Sequence, residues 1–89
     1  MKLALDSFYA VHTFKGISNA FMHYKPGGGF VETTDPSEAE KFDTIEDTER
    51  FIAIDEDAIQ FISELKNCRD IFIAKVEIVA NVKTCKRIS

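Results

Sequence analysis

Residues 33–52 (Thr33-Thr34-Asp35-Pro36-Ser37-Glu38-Ala39-Glu40-Lys41-Phe42-Asp43-Thr44-Ile45-Glu46-Asp47-Thr48-Glu49-Arg50-Phe51-Ile52) constrain the fold more than any other stretch. They hold two helix-start signals in succession, and they mark the switch from strand-like to helix-like patterning. Asp35 is a good N-cap, Pro36 brings its preset φ to the first helical position, and Glu38 takes the third position of a capping box. This first helix has room for a turn or two and is expected to bury Ala39 and Phe42. Thr44 caps again, with Asp47 three residues on. Ile45, Thr48, Phe51 and Ile52 then recur at helical spacing, which turns Glu46, Asp47, Glu49 and Arg50 outward. Each cap is expected to contribute about 1 kcal/mol. Asp55 reads as a third cap, followed by an apolar stripe of Ala58, Ile59, Phe61, Ile62 and Leu65 and a helix end at Lys66, Asn67 and Arg69.

Strand signals lie on both sides of this block. Residues Ser7 to Phe14 are aromatic and β-rich, with apolar side chains on both parities, which suits a strand covered in part on both faces. Lys15-Gly16-Ile17-Ser18-Asn19 is turn chemistry. Ala20 to Tyr24 makes a second strand and Phe30 to Thr33 a third, joined as a hairpin by Lys25-Pro26-Gly27-Gly28-Gly29. Near the C-terminus Phe72, Ala74, Val76, Ile78, Ala80 and Val82 alternate with Lys75, Glu77, Asn81 and Lys83. That period of two means a long strand with one buried face, and Ile73 and Val79 add apolar surface to the other. The fold class that follows is α+β: a small antiparallel sheet of three N-terminal strands plus one long C-terminal strand, with two or three helices packed on one face. The last strand is expected to return beside the first. No repeat or boundary divides the chain, so residues 1–89 make a single domain. Its hydrophobic content of 45% and eight Phe residues supply one core.

A net charge of −4 conceals a strong polarity. Residues 32–57 carry eleven acids against Lys41 and Arg50, a balance of −9, whereas residues 66–89 carry six bases against Asp70 and Glu77, a balance of +4. No apolar run approaches the roughly 20 residues needed to span a bilayer, and Asp6 and His12 interrupt a signal-like start, so a cytoplasmic protein without membrane association is expected. Cys68 and Cys85 have no CxxC or Cys/His spacing, and they are read as reduced thiols rather than as metal ligands or a disulfide. No metal or cofactor is expected.

Four groups of residues are candidates for chemistry. The Lys25–Gly29 loop lacks the spacing of a phosphate loop and leads into a strand, so it reads as a mobile hairpin tip. His12 and His23 sit on the first two strands, where pairing would make them neighbours. With no nucleophile or fixed carboxylate beside them, they read as structural and not catalytic. Tyr9, Phe14, Phe21, Tyr24 and Phe30 could stack bases, yet only Lys15 and Lys25 stand nearby to meet phosphate, and nucleic-acid binding is disfavoured. The fourth group, the outward carboxylates Glu38, Glu40, Asp43, Glu46, Asp47 and Glu49, can act as a solvated face or as a docking surface for a basic partner.

The sequence Asp35-Pro36-Ser37-Glu38-Ala39-Glu40-Lys41-Phe42-Asp43-Thr44-Ile45-Glu46-Asp47-Thr48-Glu49-Arg50-Phe51-Ile52, preceded by the Tyr9-Ala10-Val11 strand, resembles small uncharacterised proteins of bacteriophages and mobile elements. Their shared pattern is two strands followed by Ala-x-x-Phe-x-Thr-x-Glu-x-Ala-x-x-Phe, with Thr48 here in place of the second Ala. Because the matching positions are packing and capping residues, the resemblance bears on fold more than on function. It implies a non-enzymatic, phage-type accessory protein that binds and inhibits a host protein, such as a defence nuclease with a basic surface, through the acidic face. The alternative is a small-molecule or nucleotide-sequestering oligomer using Tyr9, His12, Tyr24, Lys25, Gly27 and Gly28. The long final strand, apolar on both faces, suggests a homodimer that pairs it with its copy.

Overall fold

The computed structural model describes residues 2–81 and 85–88. The chain forms β1 (Lys2–Lys15), β2 (Ser18–Tyr24), β3 (Phe30–Thr33), a single 3-10 turn (Pro36–Glu38), α1 (Ile45–Ile54), α2 (Glu56–Leu65) and β4 (Asp70–Asn81). The strands make one antiparallel sheet in the order β3-β2-β1-β4, and the helices pack on one of its faces. This is the expected α+β architecture. β4 lies beside β1 from the Phe14–Asp70 pair to the Lys2–Asn81 pair, with a register shift between Ala4 and Asp6.

Strand alternation sorts the side chains into two layers. Val11 and Met22 face the helices and pack against Ala58 and Phe61, with Phe30, Phe51 and Ile71 around them. Edge-on ring contacts continue this layer from Tyr24 to Phe30 at 5.6 Å and from Phe30 to Phe51 at 5.8 Å. On the opposite face Phe8, Ala10 and Val76 are covered by Ala39. β1 is therefore covered on both faces, as its mixed apolar parity implies.

The caps fall where the sequence places them. Asp47 N–H donates to Thr44 Oγ1 at 3.0 Å. Asp55 closes one helix and opens the next: its N–H donates to Phe51 O at 2.9 Å, and its carboxylate accepts from Ala58 N at 3.0 Å. The Asp35 signal yields less than expected. Asp35 Oδ1 accepts from Ser37 N at 2.9 Å, but only one 3-10 turn forms before the chain extends. The cause lies in the sheet. β1 and β2 pair only from Lys15–Ser18 to His12–Phe21, and where they part the chain around residues 40–42 fills the gap. Glu40 N–H donates to Met22 O at 2.8 Å, while Phe42 and Tyr9 exchange two hydrogen bonds at 2.8 and 2.9 Å. Counting this bridge, five chain segments cross the sheet at Tyr9. Ladder bonds to two waiting strands win over a second helical turn, so Ala39 is buried but Phe42 packs from an extended segment rather than from a helix.

Other boundaries differ too. β1 starts at Lys2 rather than Ser7, because β4 offers a partner along that whole length. β2 starts at Ser18, because the connecting turn is only Gly16-Ile17, with Gly16 at φ 61°. β4 starts at Asp70, and the expected strand positions Val82 and Lys83 lie outside the described residues. Ile45 and Ile59, expected in the buried stripes, are 44% and 43% exposed. The sheet is too narrow to cover the flanks of two side-by-side helices. The molecule is elongated, 55 × 27 × 26 Å, and its radius of gyration of 15.9 Å exceeds the roughly 12 Å of a compact chain this long. The long β1–β4 ribbon accounts for the difference.

Candidate functional site

The acidic residues follow one another along the chain, which passes from the face opposite the helices, where Ala39 packs and Glu38 O meets His23, to α1 on the helix side. Glu38 ends the 3-10 turn, Glu40 and Asp43 lie on the segment leading to α1, and Glu46, Asp47 and Glu49 are on α1 itself. Glu38, Asp43, Glu46 and Glu49 are exposed. Glu40 and Asp47 are half-buried, Glu40 because its backbone is tied to β2 and Asp47 because it closes the Thr44 cap. The two cations within the run do little to neutralise it. Arg50 reaches Asp47 at 3.5 Å, whereas Lys41 Nζ donates to Ser37 O at 2.8 Å and lies 5.0 Å from the Phe8 ring centroid. Just ahead of the run, hydrogen bonds from the side chain and backbone N–H of Ser37 hold the Asp35 carboxyl below its ordinary value of 3.8. Such a surface can attract a cationic partner.

The residues of the small-molecule alternative are not brought together. Tyr9 and Tyr24 lie on the helix side of β1 and β2, and Lys25, Gly27 and Gly28 form the β2–β3 tip. His12, three residues from Tyr9, falls on the opposite face, where its ring lies 5.2 Å from Phe21 and 6.1 Å from Phe72. Period-two alternation makes that separation unavoidable. The histidines also have separate partners: His12 Nε2 is 2.7 Å from Asn19 Oδ1, and His23 Nδ1 is 2.6 Å from Glu38 O. Beside His12 a shallow cleft of about 320 Å³ is lined by His12, Phe21, Pro36, Ala74 and Val76.

One polar cluster escaped sequence reasoning. The hydroxyl of fully buried Thr13 donates to Glu32 Oε2. Arg69 Nε approaches the same oxygen at 2.9 Å, an ion-pair contact without an aligned hydrogen bond. Arg69 also donates from an Nη to Ser18 O and Ser18 Oγ, both at 3.2 Å. This clamp joins β1, β2, β3 and the turn before β4. Glu32 was counted with the acidic block, and only its strand parity, shared with the inward Phe30, could have set it apart.

Cys68 and Cys85 are both exposed, and neither is in a disulfide. Among the described residues no group of His, Cys, Asp and Glu is placed to hold a metal ion, and no helix is long and apolar enough to cross a membrane. No family model, curated protein or solved structure matches the chain.

Proposed function

We propose that this chain is a non-enzymatic accessory protein that docks its acidic face onto a basic surface of a protein partner and thereby inhibits it. In the phage-type form of this reading the partner is a host protein such as a defence nuclease. The observation that carries it is the run from Glu38 to Glu49, of which Glu38, Asp43, Glu46 and Glu49 are exposed and in which Arg50 is the single ion-pair partner among the described residues. Carboxylates spaced along a rigid helix can occupy positions that phosphates would take in a basic groove, and opposite potentials speed and select the encounter. The test reverses charge at Glu46 and Glu49, which make no hydrogen bond that the fold needs. The Glu46→Lys/Glu49→Lys variant is expected to keep its far-UV spectrum and its cooperative melt but to lose a partner that the parent chain captures from host lysate in a salt-sensitive manner. Undiminished capture by the folded variant overturns the acidic-face reading.

A second reading, a small-molecule binder, gains support from the cleft beside His12, whose volume lies at the lower end for ligand sites. A thermal-shift screen with mono-, di- and cyclic nucleotides tests it, and no stabilisation at millimolar ligand counts against it.

A further inference from the structure

β4 ends the sheet: among the described residues no strand lies beyond it. The ladder shows which of its backbone groups are open. Tyr9 gives both its N–H and its C=O to Phe42, so Tyr9 and Lys75 form a non-hydrogen-bonded pair, and the backbone groups of Lys75 point away from β1. By alternation those of Ile71, Ile73 and Glu77 also point to the open edge, while those of Phe72, Ala74 and Val76 are taken up by β1. An incoming antiparallel strand must therefore match odd positions of β4.

A second copy of β4 satisfies this requirement in one register better than in its neighbours. A two-fold axis through Val76 places Lys75 opposite Glu77 of the second copy, and Glu77 opposite its Lys75. The same register sets Ile73 against Val79, Phe72 against Ala80, Ala74 against Ile78, and Val76 against itself. Sliding to an axis at Lys75 sets Lys75 against itself and Ile73 against Glu77, and sliding to Glu77 sets two glutamates face to face. Axes at Val76 and at Lys75 pair equal lengths of Asp70–Asn81, so overlap does not separate them and charge complementarity selects Val76. Phe72 and Val79, now 51% and 47% exposed, gain cross-strand apolar neighbours. Edge strands that avoid pairing carry like charges that repel a copy, whereas Lys75 and Glu77 make this edge self-complementary.

We infer that the chain forms a two-fold dimer by antiparallel pairing of β4 edges about Val76, giving a continuous eight-stranded sheet. The inference rests on edge geometry and is independent of the acidic-face reading.

Sedimentation of the full chain and of three variants tests it. The parent is expected to dimerise at micromolar concentration. Lys75→Glu and Glu77→Lys each create like-charge pairs twice per interface and are expected to weaken the dimer by about tenfold or more. An equimolar mixture of the two single variants restores both opposite-charge pairs and is expected to dimerise more tightly than either alone, as is the in-chain exchange K75E/E77K. Amide exchange reads the ladder itself: the N–H groups of Ile73, Lys75 and Glu77 should gain protection as concentration rises, while those of Ala74 and Val76, already bonded to β1, should not. A parent that stays monomeric to millimolar concentration overturns the inference. So does a mixture no tighter than its components, or odd-position amides that exchange at one rate throughout.

Discussion

Replacing Glu32 by Ala tests the account of what holds the sheet to the turn before β4. Two losses follow from the geometry. The Thr13 hydroxyl, fully buried, loses its acceptor, and a buried unpaired hydroxyl costs about 1–3 kcal/mol. Arg69, with its side chain 14% exposed, loses its counter-charge but keeps its bonds to Ser18. Because the Glu32 side chain is 30% exposed, solvent screens that pair and its loss is on the order of 1 kcal/mol. Together these come to about 2–4 kcal/mol, or a fall in Tm of roughly 10–25 °C for a domain of this size. The assay is urea unfolding of four chains: parent, Glu32→Ala, Thr13→Val and the double variant. Val keeps the shape of Thr and removes the orphaned hydroxyl, so in the Glu32→Ala background Thr13→Val should recover about 1–2 kcal/mol. A Glu32→Ala loss below about 1 kcal/mol, or a Thr13→Val effect identical in both backgrounds, would refute the reasoning.

Two further outcomes are expected. Asp55→Ala removes the acceptor for Ala58 N–H at the junction of α1 and α2 and should lower stability by about 1 kcal/mol in urea unfolding, with faster exchange of the Ala58 amide; an unchanged midpoint contradicts the cap. Asp35 should titrate below 3.8 by NMR, and Ser37→Ala should move its midpoint back up. Since the folded-state pKa is the lower one, the stabilisation linked to Asp35 is present above the ordinary value and is lost as pH falls through the folded value; a midpoint insensitive to Ser37→Ala excludes the assigned cause.

Local rules foretold the parts of the fold that local rules govern. Thr44 and Asp55 cap helices because the nearest unpaired N–H groups are three residues away on their own chain, and the alternation from Phe72 to Ala80 survives because one neighbour, β1, lies along the whole strand. The Asp35 helix fell short for the opposite reason. The groups that compete for its second turn, Met22 O and the Tyr9 backbone, come from strands far away in sequence, and no local propensity reports them. The same limit hid the clamp: Thr13, Glu32 and Arg69 are ordinary surface-type residues until the register and the α2–β4 turn bring them together. The acidic run was legible because outward charge needs no partner to specify it. The proposed nucleotide set was assembled by residue type without regard to parity, and alternation along β1 separated His12 from Tyr9.

The polarity of charge along the chain acquires a physical meaning when the fold and the two proposals are joined. The −9 segment runs from Glu32 on β3 through the 3-10 turn, the extended segment and α1 to the start of α2, whereas β4, with Lys75 and Glu77 as its only charges between Ile71 and Ala80, has a nearly neutral edge. Two chains with strongly like-charged faces can approach only where their charge is balanced. Edge pairing also requires a two-fold axis perpendicular to the sheet, so in the proposed dimer the helices of both copies lie on the same side. The α1 carboxylates Glu46, Asp47 and Glu49 of both copies would then lie on that side, separated by the paired β4 strands, and a partner with two basic sites, or two partners side by side, would meet both sets at once. The two proposals thus call on different surfaces, β4 for self-association and α1 for partner capture, so neither would obstruct the other.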